Sequence, residues 1–202
     1  MPAKPRRRTL KPRKSPKQER GHATVDAILQ ASAYILAKQG YAALTTNRIA
    51  EKAGVNIASI YQYFPNKEAI FVELLRRHAE AQRRRAQSLL VADESFEGRI
   101  TSVIAATVAA HAVEPELHRV LTETALRLEL PRFETDADEA LAMEARRWTK
   151  TWKRENAALA LWMAQSAVHA LVHTAFCERP EIAKSPVFTK ELTKLVLRFL
   201  GA

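Results

Sequence analysis

Between residues 22 and 39, Val25, Ile28, Leu29, Ile35 and Leu36 recur at intervals of three and four, with small Ser32 among them. That spacing lines one face of an amphipathic helix, and Gly40 supplies a left-handed stop. Thr45 and Thr46 are cap-type residues opening a short helix through Ala53. Gly54 offers the positive φ that ends it, and Asn56 caps a second short helix over about 57–63. Pro65 closes that helix, and Asn66 caps a longer one from Lys67 to about Leu90, which mixes an apolar stripe (Ile70, Phe71, Leu74, Leu75, Ala81) with many arginines. Further helices are predicted near 96–113, 115–127, 132–154, 157–177 and 187–200. Their breaks are signalled by Asp93 to Ser95, Pro115, Pro131, Glu155–Asn156, Pro180 and Pro186. No run alternates strictly as a strand does and no internal repeat occurs, so the fold class is all-α.

Composition narrows the function. A chain of 202 residues with 47% apolar content can bury one or two cores. Its five glycines are all isolated, which leaves no Gly-rich phosphate loop and sets aside the common nucleotide-binding folds. The lone Cys177 makes no internal disulfide, and the first 22 residues hold no apolar stretch of signal-peptide length, so a cytoplasmic location is expected. Those 22 residues carry nine basic side chains against Glu19, a net of +8 out of the chain's +10, leaving +2 for the rest. Pro2, Pro5, Pro12 and Pro16 prevent an amphipathic transit helix. Residues 1–21 therefore read as a disordered basic arm bearing Arg6, Arg7, Arg8, Lys11, Arg13 and Lys14. Asn156 to Cys177 is 22 residues without a charge, long enough to span a bilayer. Gln165, Ser166, His169, His173 and Thr174 would be costly facing lipid, and a buried helix of a helical domain or dimer accommodates them, so no membrane association is expected.

Residues 45–64 have the mechanical parts of a helix-turn-helix. Ile49, Ala53, Val55 and Ile60 form the expected seam between the helices, Ala50 is small enough for them to cross closely, and Gly54 makes the sharp turn. The second helix would present Ile57, Ala58, Ser59 and Gln62 to a DNA major groove roughly 12 Å wide. Two short helices joined by a glycine turn also occur as plain packing corners, and on pattern alone both readings stand.

At these residues the chain resembles the tetracycline-repressor-like (TetR) family of transcriptional regulators. The matching elements are Gly40-Tyr41, Thr45-Thr46, Ile49-Ala50, Ala53-Gly54-Val55, Tyr61-Gln62-Tyr63-Phe64 and Lys67-Glu68, ungapped over about residues 24–75. The resemblance implies a helix-turn-helix DNA-binding domain over 22–66 and a larger ligand-binding and dimerisation domain over 67–202. It also implies DNA contacts at Thr46, Asn47, Ile57, Ala58, Ser59, Tyr61, Gln62, Tyr63 and Lys67. By their chemistry, Thr46, Ser59, Tyr61, Tyr63 and Lys67, with Arg48, suit phosphate oxygens, whereas the amides of Asn47 and Gln62 suit base edges, adenine especially. Ile57 and Ala58 suit a thymine methyl. The second helix has no arginine or lysine, the commonest guanine readers, so an A/T-weighted readout is expected. Tyr41, Ile60 and Phe64 are expected in the core.

One helix-turn-helix buries too little surface for tight specific binding, so a homodimer is expected on a near-palindromic operator. Its best interface candidates are about 157–177 and 187–200, the latter through Val187, Phe188, Leu192, Leu195, Val196 and Phe199. The remaining helices should enclose a pocket for a small apolar or aromatic effector that releases the DNA. Candidate lining residues are His111, Leu126, Met143, Trp148, Trp152, Trp162, Met163, His169 and Phe176. His169, His173 and Cys177 share a helix face, but one straight helix cannot wrap three ligands around an ion, so no metal is expected. Glu134, Asp136, Asp138 and Glu139 lack the glycine and terminal glutamate of a calcium loop and read as an acidic helix start. No nucleophile elbow or acid–base constellation occurs, so neither an enzyme nor a cofactor is expected. The competing reading is a DNA-associated architectural or adaptor protein whose C-terminal half binds a protein partner.

Overall fold

A computed structural model describes residues 9–13, 19–89, 95–130 and 155–201. The regular structure among them is entirely helical. In chain order it comprises α1 (Glu19–Gln39), one 3-10 turn (Tyr41–Ala43), α2 (Thr46–Ala53), α3 (Ile57–Tyr63), α4 (Lys67–Leu89) and α5 (Phe96–His111), followed by α6 (Pro115–Arg127), α7 (Ala157–Glu178), α8 (Pro180–Ala183) and α9 (Pro186–Leu200). The helix expected over 132–154, with Met143, Trp148 and Trp152, lies outside the described residues, as do Arg6, Arg7, Arg8 and Lys14.

Two compact units emerge. One comprises residues up to His78 together with Val120–Glu129, the other Ala79–Arg119 with residues from Leu130 onward. The division falls inside α4 rather than at 66/67. The start of α4 is core material for the N-terminal unit: Ala69, Ile70 and Phe71 are fully buried, and Tyr41 meets Phe71 edge-on at 5.3 Å.

In the N-terminal unit α1 packs on α2 and α3 around Ile28, Leu36, Leu44, Ile49, Ile60 and Phe64, all at most 1% exposed. Ser32 sits inside because its hydroxyl donates to the Ile28 carbonyl at 2.7 Å. The expected helix ends are in place. The Thr45 hydroxyl accepts from the Arg48 amide, Gly54 ends α2 at φ 65°, and the Asn56 side chain accepts from the Ala58 amide at 2.8 Å. The Asn66 side chain accepts from the Ala69 amide at 2.8 Å. Gly40 differs from expectation. Its φ of 74° is positive, but a ψ of 178° puts it in the extended glycine-only region, because the chain must turn directly into the 3-10 turn instead of ending in a left-handed cap.

Asp26, Glu73, Arg76 and Arg77 tie α1 to α4. Arg77 donates to Asp26 and to Glu73, and Arg76 grips both Glu73 oxygens at 2.7 and 2.9 Å. Burial pushes the Glu73 carboxyl up, but the hydrogen bonds and charges of the two arginines outweigh it and hold its pKa below the ordinary carboxylate value. Burial acts against the charged form of Arg77 as well, and its two carboxylate partners raise its pKa.

In the second unit α5, α7 and α9 pack together around Ile104, Val108, Val168, Val172, Phe176, Leu192, Val196 and Leu200. Pro180 starts α8, a single turn not expected from the sequence, because proline at a first helical position is already set for helix. α7, uncharged as far as Cys177, buries only one stripe, Ala157, Ala160, Ala164, Val168, Val172 and Phe176. Its other face exposes Leu159, Trp162, Met163 and Leu171, and α9 exposes Val187, Leu195 and Phe199. No helix among the described residues is long and apolar enough to cross a membrane.

Candidate functional site

Helical periodicity decides which side chains α3 can offer. Ile60 and Tyr63, three apart, point inward and are 0% and 9% exposed, while Ala58, Tyr61 and Gln62 are exposed on the opposite side. Ile57 and Ser59 lie half-buried at the flanks. Tyr63, expected among the phosphate contacts, packs into the core, since it falls one turn after Ile60. The seam is formed by Ile49, Ala50 and Ile60, with Ala53 and Val55 only half-buried.

Asn47 and Arg48 are exposed at the start of α2, and Thr46 is half-buried there. The Thr46 hydroxyl lies 3.2 Å from the Tyr61 hydroxyl, so two groups from different helices converge on one point able to face a single acceptor oxygen. Arg48 reaches Gln39 at the end of α1 through its Nη2, which turns the guanidinium toward α1. The Lys67 ammonium rests 4.6 Å from the centroid of the Tyr41 ring, at the N-terminus of α4. Of the arm, residues 9–13 lie against the α3–α4 connection: the Arg13 amide donates to the Tyr63 carbonyl at 2.7 Å and the Asn66 side-chain amide to the Thr9 carbonyl at 3.2 Å.

A second constellation lies within the other unit. His111 of α5 and His118 of α6 are buried, their rings edge to face at 4.7 Å. From α7, His169 lies 6.2 Å from His111, and His173 lies 5.2 Å from His118. Phe176 stacks on His111 at 6.3 Å, so three of the sequence-predicted pocket residues, His111, His169 and Phe176, come together. His111 Nδ1 donates to the Thr107 carbonyl at 2.8 Å. Gln82 Nε2 lies 3.1 Å from His118 Nδ1, and Cys177 Sγ lies 3.7 Å from His173 Nδ1. Among the described residues no three His, Cys, Asp or Glu side chains are arranged to hold a metal ion.

Three expected pocket residues are elsewhere. Trp162 is 63% exposed because it lies two positions past Ala160 of the buried stripe, roughly opposite it on α7. Leu126 is 69% exposed for the same reason, two positions past buried Thr124 on α6. Met163 is also exposed. His118 and Gln82 were not singled out by the sequence, since a polar residue on an amphipathic helix reads as surface. An open groove of about 500 Å³ between the end of α4 and α5, lined by Leu89, Ser95, Glu97, Gly98, Thr101, Ser102 and Ala105, holds none of the expected pocket residues.

A capped helix-turn-helix is followed by long helices on which buried His111 and His118 meet half-buried His173 and exposed His169. Residues 28–74 match the family described as bacterial regulatory proteins, tetR family, and residues 95–200 match the tetracyclin repressor-like C-terminal domain. The chain belongs to the TetR family. It is similar to the nucleoid occlusion factor SlmA of Vibrio vulnificus, 31% identical over 109 residues, which are 54% of this chain and 56% of that protein. It also resembles the uncharacterized HTH-type transcriptional regulator YvkB of Bacillus subtilis, 46% identical over 52 residues, 26% of this chain and 28% of that one. The chain thus spans about half the length, or less, of these curated relatives. A crystal structure of a TetR-family transcriptional regulator from Streptomyces coelicolor shares the fold, with a TM-score of 0.63 at 24% identity over 90% of this chain and 97% of that one.

Proposed function

We propose that the chain is a homodimeric, sequence-specific DNA-binding transcriptional regulator, a repressor that leaves a near-palindromic operator when a small molecule occupies its C-terminal unit. The observation that carries the reading is the outward face of α3, with Ala58, Tyr61 and Gln62 exposed beside the Thr46 hydroxyl on a head whose interior is already filled. Asn47, Ile57, Ala58 and Gln62 read bases. Thr46, Arg48, Ser59, Tyr61 and Lys67 hold phosphates, with Tyr63 contributing from the edge of the core, and the basic arm adds sequence-independent attraction.

The exposed apolar faces of α7 and α9 are the dimer surface, since such contiguous apolar area is otherwise costly in water. Placement in the cytoplasm, beside the DNA, follows from this role. The histidines that meet beside Phe176 favour an effector with an apolar body and a hydrogen-bonding end. Release then depends on tighter ligand binding to a conformation that fits DNA less well, a coupling typically worth about 1–3 kcal/mol. The test is affinity for one selected duplex, with and without a panel of aliphatic and aromatic acids, alcohols and amides. Release by one chemical class supports the reading, and indifference to every class removes the sensor.

The adaptor reading is favoured only by the exposed apolar faces of α7 and α9. It predicts a stable monomer until a second protein is added, together with DNA binding that ignores sequence.

A further inference from the structure

The recognition helix α3 is seven residues long, and its C-terminal end lacks the glycine caps that finish α2 and α9. The carbonyls of a last turn have no partner within their helix. On α2 and α9, Gly54 and Gly201 adopt the left-handed conformation and fold amides back onto those carbonyls. After α3 the chain leaves in an extended conformation at Phe64, with φ −124°, and runs into Pro65, which has no amide to offer. The last turn of α3 also contains no basic side chain to complement the helix dipole.

The arm supplies what is missing. The Arg13 amide donates to the Tyr63 carbonyl at 2.7 Å, and Arg13 Nη1 reaches the Tyr61 carbonyl at 3.4 Å, so one residue brings two donors and a positive charge to the open end. Four residues earlier, the Thr9 carbonyl accepts from Asn66 Nδ2 at 3.2 Å, while Asn66 Oδ1 caps α4. Residues 9–13 are therefore tied down at both ends across the connection from Tyr61 to Asn66.

We infer that this strap is a positioning element, with Arg13 as an external C-terminal cap that holds the turn bearing Tyr61 and Gln62 in its DNA-reading orientation. The basic arm then has two separable roles: its charge raises affinity for any DNA, and its strap raises discrimination between sequences. The inference rests on the DNA-reading role proposed for α3.

The experiment uses the full chain in three forms: unaltered, Arg13→Pro, and lacking residues 1–8. Arg13→Pro removes the amide donor and the guanidinium but only one of the arm's charges, whereas loss of residues 1–8 removes Lys4, Arg6, Arg7 and Arg8 and leaves the strap intact. Affinities for a selected duplex and a scrambled one are measured over a range of salt. The truncated form should show a flatter dependence of log affinity on log salt with an unchanged ratio between the two duplexes. Arg13→Pro should lose about one unit of salt slope and about tenfold of the ratio. An unchanged ratio in Arg13→Pro overturns the positioning role.

Amide hydrogen exchange on the DNA-free chain keeps the strap testable on its own. The Arg13 amide should exchange at least ~10-fold more slowly than in an open chain, and Asn66→Asp, which keeps the α4 cap but loses the donor to Thr9, should erode that protection. An unprotected Arg13 amide overturns the strap, whereas a protected amide in a chain that never distinguishes the two duplexes overturns the DNA-reading assignment instead.

Discussion

The N-terminal head is closed, and the C-terminal helices are not. In the head, Ile28, Leu36, Leu44, Ile49, Ile60 and Phe71 are all 0% exposed, and each short helix starts on its own cap, Thr45 and Asn56. In α7 and α9 one stripe is equally well buried, yet Trp162 and Val187 are more than 60% exposed, and Leu159 and Leu195 more than half. The head saturates its apolar surface within one chain, so its outer face is free to be polar. Among the described residues, the C-terminal helices carry apolar surface on both sides.

The largest effect that separates the two regions should come from Ile60→Ala. Emptying a fully buried seam position costs about 2–5 kcal/mol, a large share of a small domain's stability. Exchange protection should disappear from α1 to α3 and DNA binding should be lost, while the apparent mass in sedimentation stays that of a dimer. Loss of the dimer together with the head would show that the two regions do not fold independently.

Next in size is the double substitution Trp162→Glu with Leu195→Glu. Both side chains are exposed in one chain, so its helical content should be unchanged, but the dimer should dissociate at micromolar concentration and operator affinity should fall at least ~100-fold. A dimer that survives both charges places the interface elsewhere.

Smaller again is Gln62→Ala, which should cost about 1–3 kcal/mol on the preferred duplex and much less on one altered at the base pair that Gln62 reads. A uniform loss on both would make Gln62 a phosphate contact.

The smallest effect should come from Glu73. Its pKa is depressed in the folded chain, so its stabilisation is fully present above the ordinary value of 4.5 and is lost as pH falls below that toward its own lower pKa. Glu73→Gln should lower stability at pH 7 by about 1 kcal/mol, because its arginine partners are more than a third exposed and solvent-screened. The gap to the unaltered chain should narrow in thermal unfolding at progressively lower pH, and a gap independent of pH would remove the ion pairs as its cause.

The same contrast explains what could be read from the sequence. Thr45, Gly54, Asn56 and Asn66 act on amides one to four residues away, so helix starts and stops are written locally, and the head follows from them. The inward side of α7 is not written locally. Apolar residues occupy both faces of a helix that meets its own core on one side only, and Trp162 therefore read as a pocket residue when it lies outside. His118 reads as a solvated position until α5 and α7 are folded against it. The strap over α3 depends on Thr9 and Arg13 meeting Asn66 and Tyr63 more than 45 residues away, a pairing that no periodicity announces.

The measurement that bears most directly on the whole account is selection of duplexes from a randomised pool by the full chain, followed by sequencing of what is bound. A dimer reading DNA through Asn47, Ile57, Ala58 and Gln62 should enrich an inverted repeat, its two halves about one helical turn or more apart and weighted toward A/T at the contacted positions. A pool that emerges unenriched, or enriched for a single unrepeated G/C core, would contradict it.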